Sequence, residues 1–182
     1  MNNNNLIEQA VLTRYATFCG TLMGLFWLAK FTLVPLGIII PPLMLLFLGL
    51  SLFVPFVAYV MARSYRNRYC AGVIGFGQAW IFLFLTFLYA SLLTAMGYFI
   101  YFRFIDGGFI LNSLEEMVEE FLSSLPQLQR EQMGAQMREL INAQRSLTPI
   151  TIALQQMSQN LMLGAIMALL IAPFVKRNVP KQ

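Results

Sequence analysis

The residues of this chain that could bind a solute are a few polar side chains within long apolar segments. Only 11% of its 182 residues are charged, and 58% are hydrophobic. Polar groups at membrane depth are costly to bury and are functional candidates by default. The sequence therefore predicts a polar pocket, most of it in the outer leaflet, whose candidate residues are Lys30, Gln78, Arg103, Asp106, Gln155, Gln159 and Asn160.

These residues also have purely structural interpretations. Lys30 lies near the end of an apolar segment, where its long side chain can snorkel to lipid headgroups. Gln78 can hydrogen-bond a neighbouring helix or loop backbone. Arg103 and Asp106 stand three residues apart, which favours a local ion pair. Both interpretations of each residue stay open from sequence.

The sequence gives little support for an enzyme or for a cofactor site. Histidine, the commonest general base and metal ligand, is absent. Cys19 and Cys70 lack metal-type spacing, and no nucleophile stands beside a base. We expect no enzyme activity, no cofactor and no metal. Nucleic acid is not an expected partner either, because the basic residues lie at the ends of apolar runs and form no patch.

Four apolar segments must position the polar residues, at about 15–34, 43–62, 74–102 and 155–175. About 20 apolar residues suffice to cross the hydrocarbon layer of a bilayer. The sequence thus predicts an all-α, integral membrane four-helix bundle that forms a single domain over residues 1–182. The last segment is strictly apolar only from Leu161 to Val175, roughly 22 Å of helix, so we expect a long helix whose outer end packs on the external segment.

Glycines and prolines punctuate this bundle. Residues 1–10 read as a polar leader that frays or forms an interfacial turn. Gly20 and Gly24 form a close-packing face, either for another helix of the chain, which we favour, or for a homodimer. A tight connection is predicted by Pro35, Gly37, Pro41 and Pro42, and Pro55 predicts a kink in the second span.

Residues 107–148 form the external segment and predict an amphipathic helical hairpin. Its first helix carries a stripe at helical spacing opposite a glutamate row. Ser113 and Glu116 suggest a capping box at its start, and Pro126 the start of the second helix. Thr148 and Pro149 predict the start of the last helix. The stripe consists of Leu114, Met117, Val118, Phe121, Leu122 and Leu125.

The distribution of basic residues predicts the orientation. Cytoplasmic loops are enriched in Lys and Arg. One side of the bundle carries seven basic residues and the single acid Glu8, whereas the other carries five basic residues and seven acids. Both termini should therefore be cytoplasmic. The seven are Arg14, Arg63, Arg66, Arg68, Lys176, Arg177 and Lys181.

Three motifs carry a family resemblance: Gly72-Val-Ile-Gly-Phe-Gly-Gln-Ala at the entry of the third span, Tyr101-Phe-Arg-Phe-Ile-Asp at its exit, and Pro173-Phe-Val-Lys-Arg at the end of the last. With them, the chain resembles a family of small four-span inner-membrane proteins of Bacteroidota, a domain of unknown function. The family often has Asp-Pro where this chain has Asp106-Gly107, which affects the local turn. The resemblance implies location and architecture but no activity.

Two functions remain. The favoured one is a non-enzymatic membrane protein whose external hairpin engages a protein partner or a second copy of the chain. The lipid bilayer surrounds the spans of this protein. The alternative is a small transporter or channel subunit that uses the polar pocket. The absence of an inverted repeat and of an acid within the spans weighs against transport.

Overall fold

The computed structural model describes residues 3–177, with the backbone alone described for residues 3–7. Within that range the chain forms seven α-helices and one π-helical turn, and no β-strand apart from an isolated bridge. The prediction of an all-α bundle is confirmed. The elements are α1 (Asn3–Phe31), α2 (Leu33–Ile39), α3 (Pro42–Tyr69), α4 (Phe76–Ile100), the π turn (Tyr101–Ile105), α5 (Phe109–Ser123), α6 (Gln127–Arg145) and α7 (Pro149–Val175).

Four helical stretches are long and apolar enough to cross a membrane, among the residues that the structure describes. They are Glu8–Ile39, Pro42–Tyr69, Phe76–Ile105 and Pro149–Val175. Each contains one of the predicted spans apart from a residue or two at an end, and each extends beyond it. The fold is consistent with a multi-pass membrane protein.

The central element is α4, which packs along both α1 and α7. Phe82, Leu83 and Phe87 on α4 are fully buried between its neighbours. Small residues at regular helical spacing on α1 and α7 let these two helices approach α4 closely. The Gly20–Gly24 face lies on α4 of the same chain, as we favoured, because a side chain at Gly20 would meet Tyr89.

The helix α3 is packed tightly over only one half of its length. Every buried residue of α3 lies from Val54 onward. Before Val54, side chains such as Leu45 and Leu52 are more than 70% exposed in the isolated chain. Pro55 stands where the change occurs, and α3 continues through it as one helix. The half of α3 before Pro55 therefore borders an open region of the bundle.

The two ends of the bundle differ in what adjoins them. The hairpin end adjoins α5 and α6, and the loop end carries the connection between α3 and α4. At the loop end, Ile74 and Arg177 exchange two backbone hydrogen bonds of 3.1 Å. The buried Arg66 donates from Nη1 to the carbonyl oxygen of Val175 at 2.9 Å. These bonds attach the end of α7 to the α3–α4 connection.

Several predicted boundaries were wrong. Residues 3–10 belong to α1 and are not a separate leader, while residues 1 and 2 lie outside the described range. The predicted connection around Pro35 and Gly37 is the short helix α2. Pro35 is its third residue, and a proline is tolerated there because the N–H groups of a first turn have no helical acceptor.

The hairpin prediction is confirmed in its two helices but not in its capping. Helix α5 begins at Phe109, so Ser113 lies inside it and the predicted capping box with Glu116 is wrong. Pro126 directly precedes α6, as predicted. Thr148 caps α7, its hydroxyl accepting from the backbone N–H of Thr151 at 3.3 Å. The close backbone contacts of α5 outside the hairpin are with α2.

Candidate functional site

A cleft at the hairpin end of the bundle, with a volume of about 290 Å³, is the candidate site because all four spans line it. We call it the lysine cleft. Helices α1, α3, α4 and α7 each contribute to it, so it forms only when the four spans assemble. Its lining residues are Trp27, Lys30, Phe31, Phe47, Ser51, Val54, Phe87, Thr94, Tyr98, Gln156, Asn160, Leu163, Gly164 and Met167.

Lys30 is the charged residue of this cleft. Its Nζ donates a hydrogen bond of 3.0 Å to Oγ of Ser51 on α3, and Ser51 in turn donates to the carbonyl oxygen of Phe47 at 2.7 Å. Nζ also lies 4.8 Å from the centre of the Phe47 ring. In residues 3–177 both ion pairs lie in the hairpin, so no described carboxylate pairs with Lys30. The ammonium is held by a hydroxyl and an aromatic face.

Polar residues of α1, α4 and α7 also line this cleft. Trp27 is 9% exposed, and its indole Nε1–H is buried without an acceptor in the described part of the chain. Buried polar groups are normally hydrogen-bonded. By contrast, the Thr94 hydroxyl is satisfied internally, donating to the carbonyl oxygen of Ala90 at 2.6 Å. The cleft therefore offers an ammonium and the amides of α7 to an incoming acceptor, whereas the indole N–H of Trp27 is covered.

Of the seven predicted site residues, the structure brings together Lys30 and Asn160. Gln155 and Gln159 are exposed and do not line the lysine cleft. Gln156, which was not predicted, lines it instead. Gln156 could have been identified from its spacing. Gln156, Asn160 and the packed Gly164 follow one another at four-residue steps, so they share one face of α7.

Gln78 and Arg103 lie elsewhere. Gln78 borders a separate pocket at the loop end, together with Glu8, Tyr65 and Cys70. Arg103 is exposed on the π turn, with its guanidinium carbon 5.8 Å from the centre of the Phe104 ring. Neither residue joins the lysine cleft, so the sequence prediction combined residues of different regions.

Asp106 has a structural role in this arrangement. Its carboxylate accepts hydrogen bonds from the backbone N–H groups of Gly108 at 3.0 Å and Ile110 at 3.2 Å. These groups belong to the first turn of α5, where free N–H groups favour a negative charge. Arg103 forms no ion pair with it, contrary to the local pair considered from sequence. Asp106 thus caps α5 and fixes where the hairpin leaves the last turn of the span.

The hairpin is joined by two ion pairs between α5 and α6. Arg138 donates to both carboxylate oxygens of Glu119 at 2.7 and 2.9 Å, and Arg145 pairs with Glu115. The hydrogen bonds from Arg138 hold the pKa of Glu119 below its usual value. Beneath these pairs, Leu122 of α5 packs against Gly134 of α6. A cavity of about 470 Å³ lies between the hairpin and the start of α7.

In the described residues, no three of Cys, Asp and Glu are placed to hold a metal ion. A family model described as "Protein of unknown function (DUF4199)" matches residues 19–177. The chain belongs to the DUF4199 family. No curated protein and no solved structure matches it.

The DUF4199 match covers α1 from Cys19 onward and all of the other helices, including every lining residue of the lysine cleft and the whole hairpin. The resemblance to a domain of unknown function is thereby confirmed, while an origin in Bacteroidota stays a prediction. The DUF4199 description names no activity. The lysine cleft and the hairpin are therefore the features of the molecule that bear on its function.

Proposed function

We propose that the chain is a non-enzymatic protein of the bacterial inner membrane that binds a protein partner through its hairpin. Both termini are cytoplasmic in this proposal and the hairpin is extracytoplasmic. The orientation is supported by the basic residues next to the spans at the loop end, including Arg63, Arg68 and Lys176.

The proposal is carried by the exposed stripe of α5. Leu114, Met117 and Phe121 are 41–47% exposed, although they stand one turn apart on a single helix. Leu122 and the paired Glu115 and Glu119 turn towards α6. Leu114 borders the cavity between the hairpin and α7, so Met117 and Phe121 are the outward part of the stripe. The stripe is thus held on a hairpin that is already closed. An apolar stripe presented on a braced helix is typical of helix-mediated recognition.

Charge favours one type of occupant for this stripe. Glu120 flanks the stripe next to Met117, whereas Glu116 lies on the far side of α5, and both are exposed and make no ion pair in the described structure. A second copy would bring two Glu120 side chains together along the stripe, and anionic headgroups would also be repelled. The complementary surface is an apolar helix or groove of another protein, edged by Lys or Arg.

Crosslinking of the full-length protein in its native membrane tests this proposal. A single cysteine at Glu120, in a background with Cys19→Ala and Cys70→Ala, flanks the stripe, whereas one at Gln136 lies on the exposed surface of α6. We expect a heterologous product from the first site and little from the second. The crosslinked partner peptide should contain Lys or Arg beside apolar residues.

Two further variants give the control. Met117→Glu should reduce the product several-fold, whereas Glu139→Lys, a charge change on α6, should leave it unchanged. A product that is only a homodimer, or one insensitive to Met117→Glu, contradicts the proposal. So does a product found equally from Gln136.

The lysine cleft favours a second candidate, a small transporter or channel subunit. Its support is the placement of Lys30, Ser51 and Asn160 from three spans around one cleft. The test is uptake of labelled phosphate, acetate and glutamate by proteoliposomes. Lys30→Met combined with Asn160→Leu should abolish uptake, and the exposed Gln159→Leu should not. Equal uptake with and without the double variant contradicts transport through the cleft.

A further inference from the structure

The lysine cleft contains a cation without a counter-ion among the described residues, and this is the starting point for a ligand. An ammonium that is half-buried favours a hydrogen-bonding or anionic partner. An ammonium has three N–H donors, and the hydrogen bond to Ser51 uses one of them. Phe47 lies against Nζ but accepts no strong hydrogen bond. The ammonium of Lys30 therefore keeps donors for an anionic acceptor.

Further donors in the same cleft point to the same chemistry. Trp27 stands one helical turn before Lys30 on α1 and lines the cleft, but its Nε1–H is covered. The amides of Gln156 and Asn160 add further donors from α7. A group with several acceptor oxygens, such as a phosphate or a carboxylate, would satisfy these donors together.

The remaining walls and the position of the cleft show what is attached to that anion. Phe31, Val54, Leu163 and Met167 make most of the other lining apolar. Lys30 is the penultimate residue of α1 at the hairpin end, roughly 24 Å along the helix from Arg14. The apolar residues of α2 and of the first turns of α3 continue beyond that level, so Lys30 lies within the outer half of a hydrocarbon layer about 30 Å thick.

Access to the cleft is lateral. The half of α3 before Val54 has no buried residue, so it does not seal the bundle against lipid. We propose that the lysine cleft binds a membrane lipid whose anionic headgroup is held by Lys30 and Asn160, with an acyl chain lying between α3 and α7. This site is independent of hairpin docking, and its test uses no partner protein.

Trp27 gives a direct readout, because the chain has only two tryptophans. In a Trp80→Phe variant of the full-length protein, the remaining fluorescence comes from the cleft. The protein is reconstituted in vesicles of phosphatidylcholine with increasing fractions of lipid brominated in the acyl chain. We expect brominated phosphatidic acid and brominated fatty acid to quench Trp27 at roughly tenfold lower mole fraction than brominated phosphatidylcholine, as befits charged hydrogen bonds.

Variants of Lys30 separate headgroup binding from ordinary lipid contact. Lys30→Met should remove the preference for anionic lipid, Lys30→Arg should retain most of it, and the exposed Gln159→Leu should leave it unchanged. If Lys30→Met does not fold, its helical circular dichroism signal will change. In that case the preference for anionic lipid is compared between Lys30→Arg and Asn160→Leu instead.

Three outcomes overturn the proposal. Equal quenching by anionic and zwitterionic brominated lipids removes headgroup recognition. A preference that survives Lys30→Met places the recognition elsewhere. Competition by inorganic phosphate or acetate at the same concentration as the lipid would mean that the cleft binds the free anion, and that the acyl chain contributes nothing.

Discussion

Replacing Gly20 by alanine tests the closest approach between α1 and α4. A Cβ at Gly20 would lie 2.6 Å from Cβ of Tyr89 and 2.8 Å from the carbonyl oxygen of Thr86. Ordinary contact begins at 3.4 Å, so α1 would have to move away from α4 by about 0.8 Å. The carbonyl oxygen is backbone and cannot rotate aside. The substitution should therefore separate the two helices.

The size of the effect follows from two opposing terms. Forcing an extra methyl group into a packed interface costs about 1–3 kcal/mol. Alanine in a helix interior gains about 1 kcal/mol over glycine. Gly49 on α3 is a matched control, because a Cβ there has no neighbour within 4 Å and gains only the helix preference. The free energy of unfolding should thus be about 1–3 kcal/mol lower for Gly20→Ala than for Gly49→Ala.

Labelling of Cys19 measures this difference. Cys19 is 2% exposed and precedes Gly20, so maleimide reaches it only when α1 opens. In a Cys70→Ser background at fixed detergent concentration, Gly20→Ala should increase the labelling rate at least about fivefold over Gly49→Ala. Equal rates would refute the close approach of α1 and α4. If, instead, Gly20→Ala dissociated a dimer at unchanged labelling, the glycine face would belong to a homodimer.

Three further predictions concern the hairpin and the loop end. Asp106→Ala should destabilise the first turn of α5 by about 1 kcal/mol, seen as faster amide exchange there. Because the Arg138 hydrogen bonds lower the pKa of Glu119, their contribution is complete above its usual value of 4.5 and is lost as the pH falls through the lowered value. Hairpin helicity measured against pH should show this, and Glu119→Gln should remove it. Arg66→Met should free the end of α7, increasing proteolysis after Val175 without unfolding the spans.

Hydropathy predicted the spans well because lipid imposes a single requirement on each of them. A spanning segment must satisfy its backbone within a helix and must be apolar, whatever it packs against. Boundaries depend on weaker local terms, and these were predicted less well. The capping box at Ser113 and Glu116 matched a pattern, but Asp106 reaches the first N–H groups of α5 from a turn earlier. Sequence spacing alone did not distinguish these two caps.

The candidate site was predicted only in part, since a polar residue in a span does not reveal which way it faces. Lys30 and Asn160 face the same cleft, whereas Gln155 and Gln159 lie on the exposed side of α7. The small-residue face of α7 contained the missing information, because Gln156 and Asn160 extend the line of Gly164. Trp27 was missed altogether, since an indole in a span usually reads as packing or as an interface anchor.

The two ends of the bundle differ in how firmly α3 is held, and this affects where the protein can move. At the loop end, Arg66 holds the last carbonyl of α7 and the Ile74–Arg177 bridge closes the chain. At the hairpin end, α3 packs on α2, and the hydrogen bond from Lys30 to Ser51 joins it to α1. Separation of α3 should therefore begin at the hairpin end, with α2 moving together with it, and widen the lysine cleft. In the proposed lipid site, an anion at Lys30 would enter without breaking the bonds at the loop end, and if it drew Nζ away from Ser51, it would release the half of α3 before Pro55.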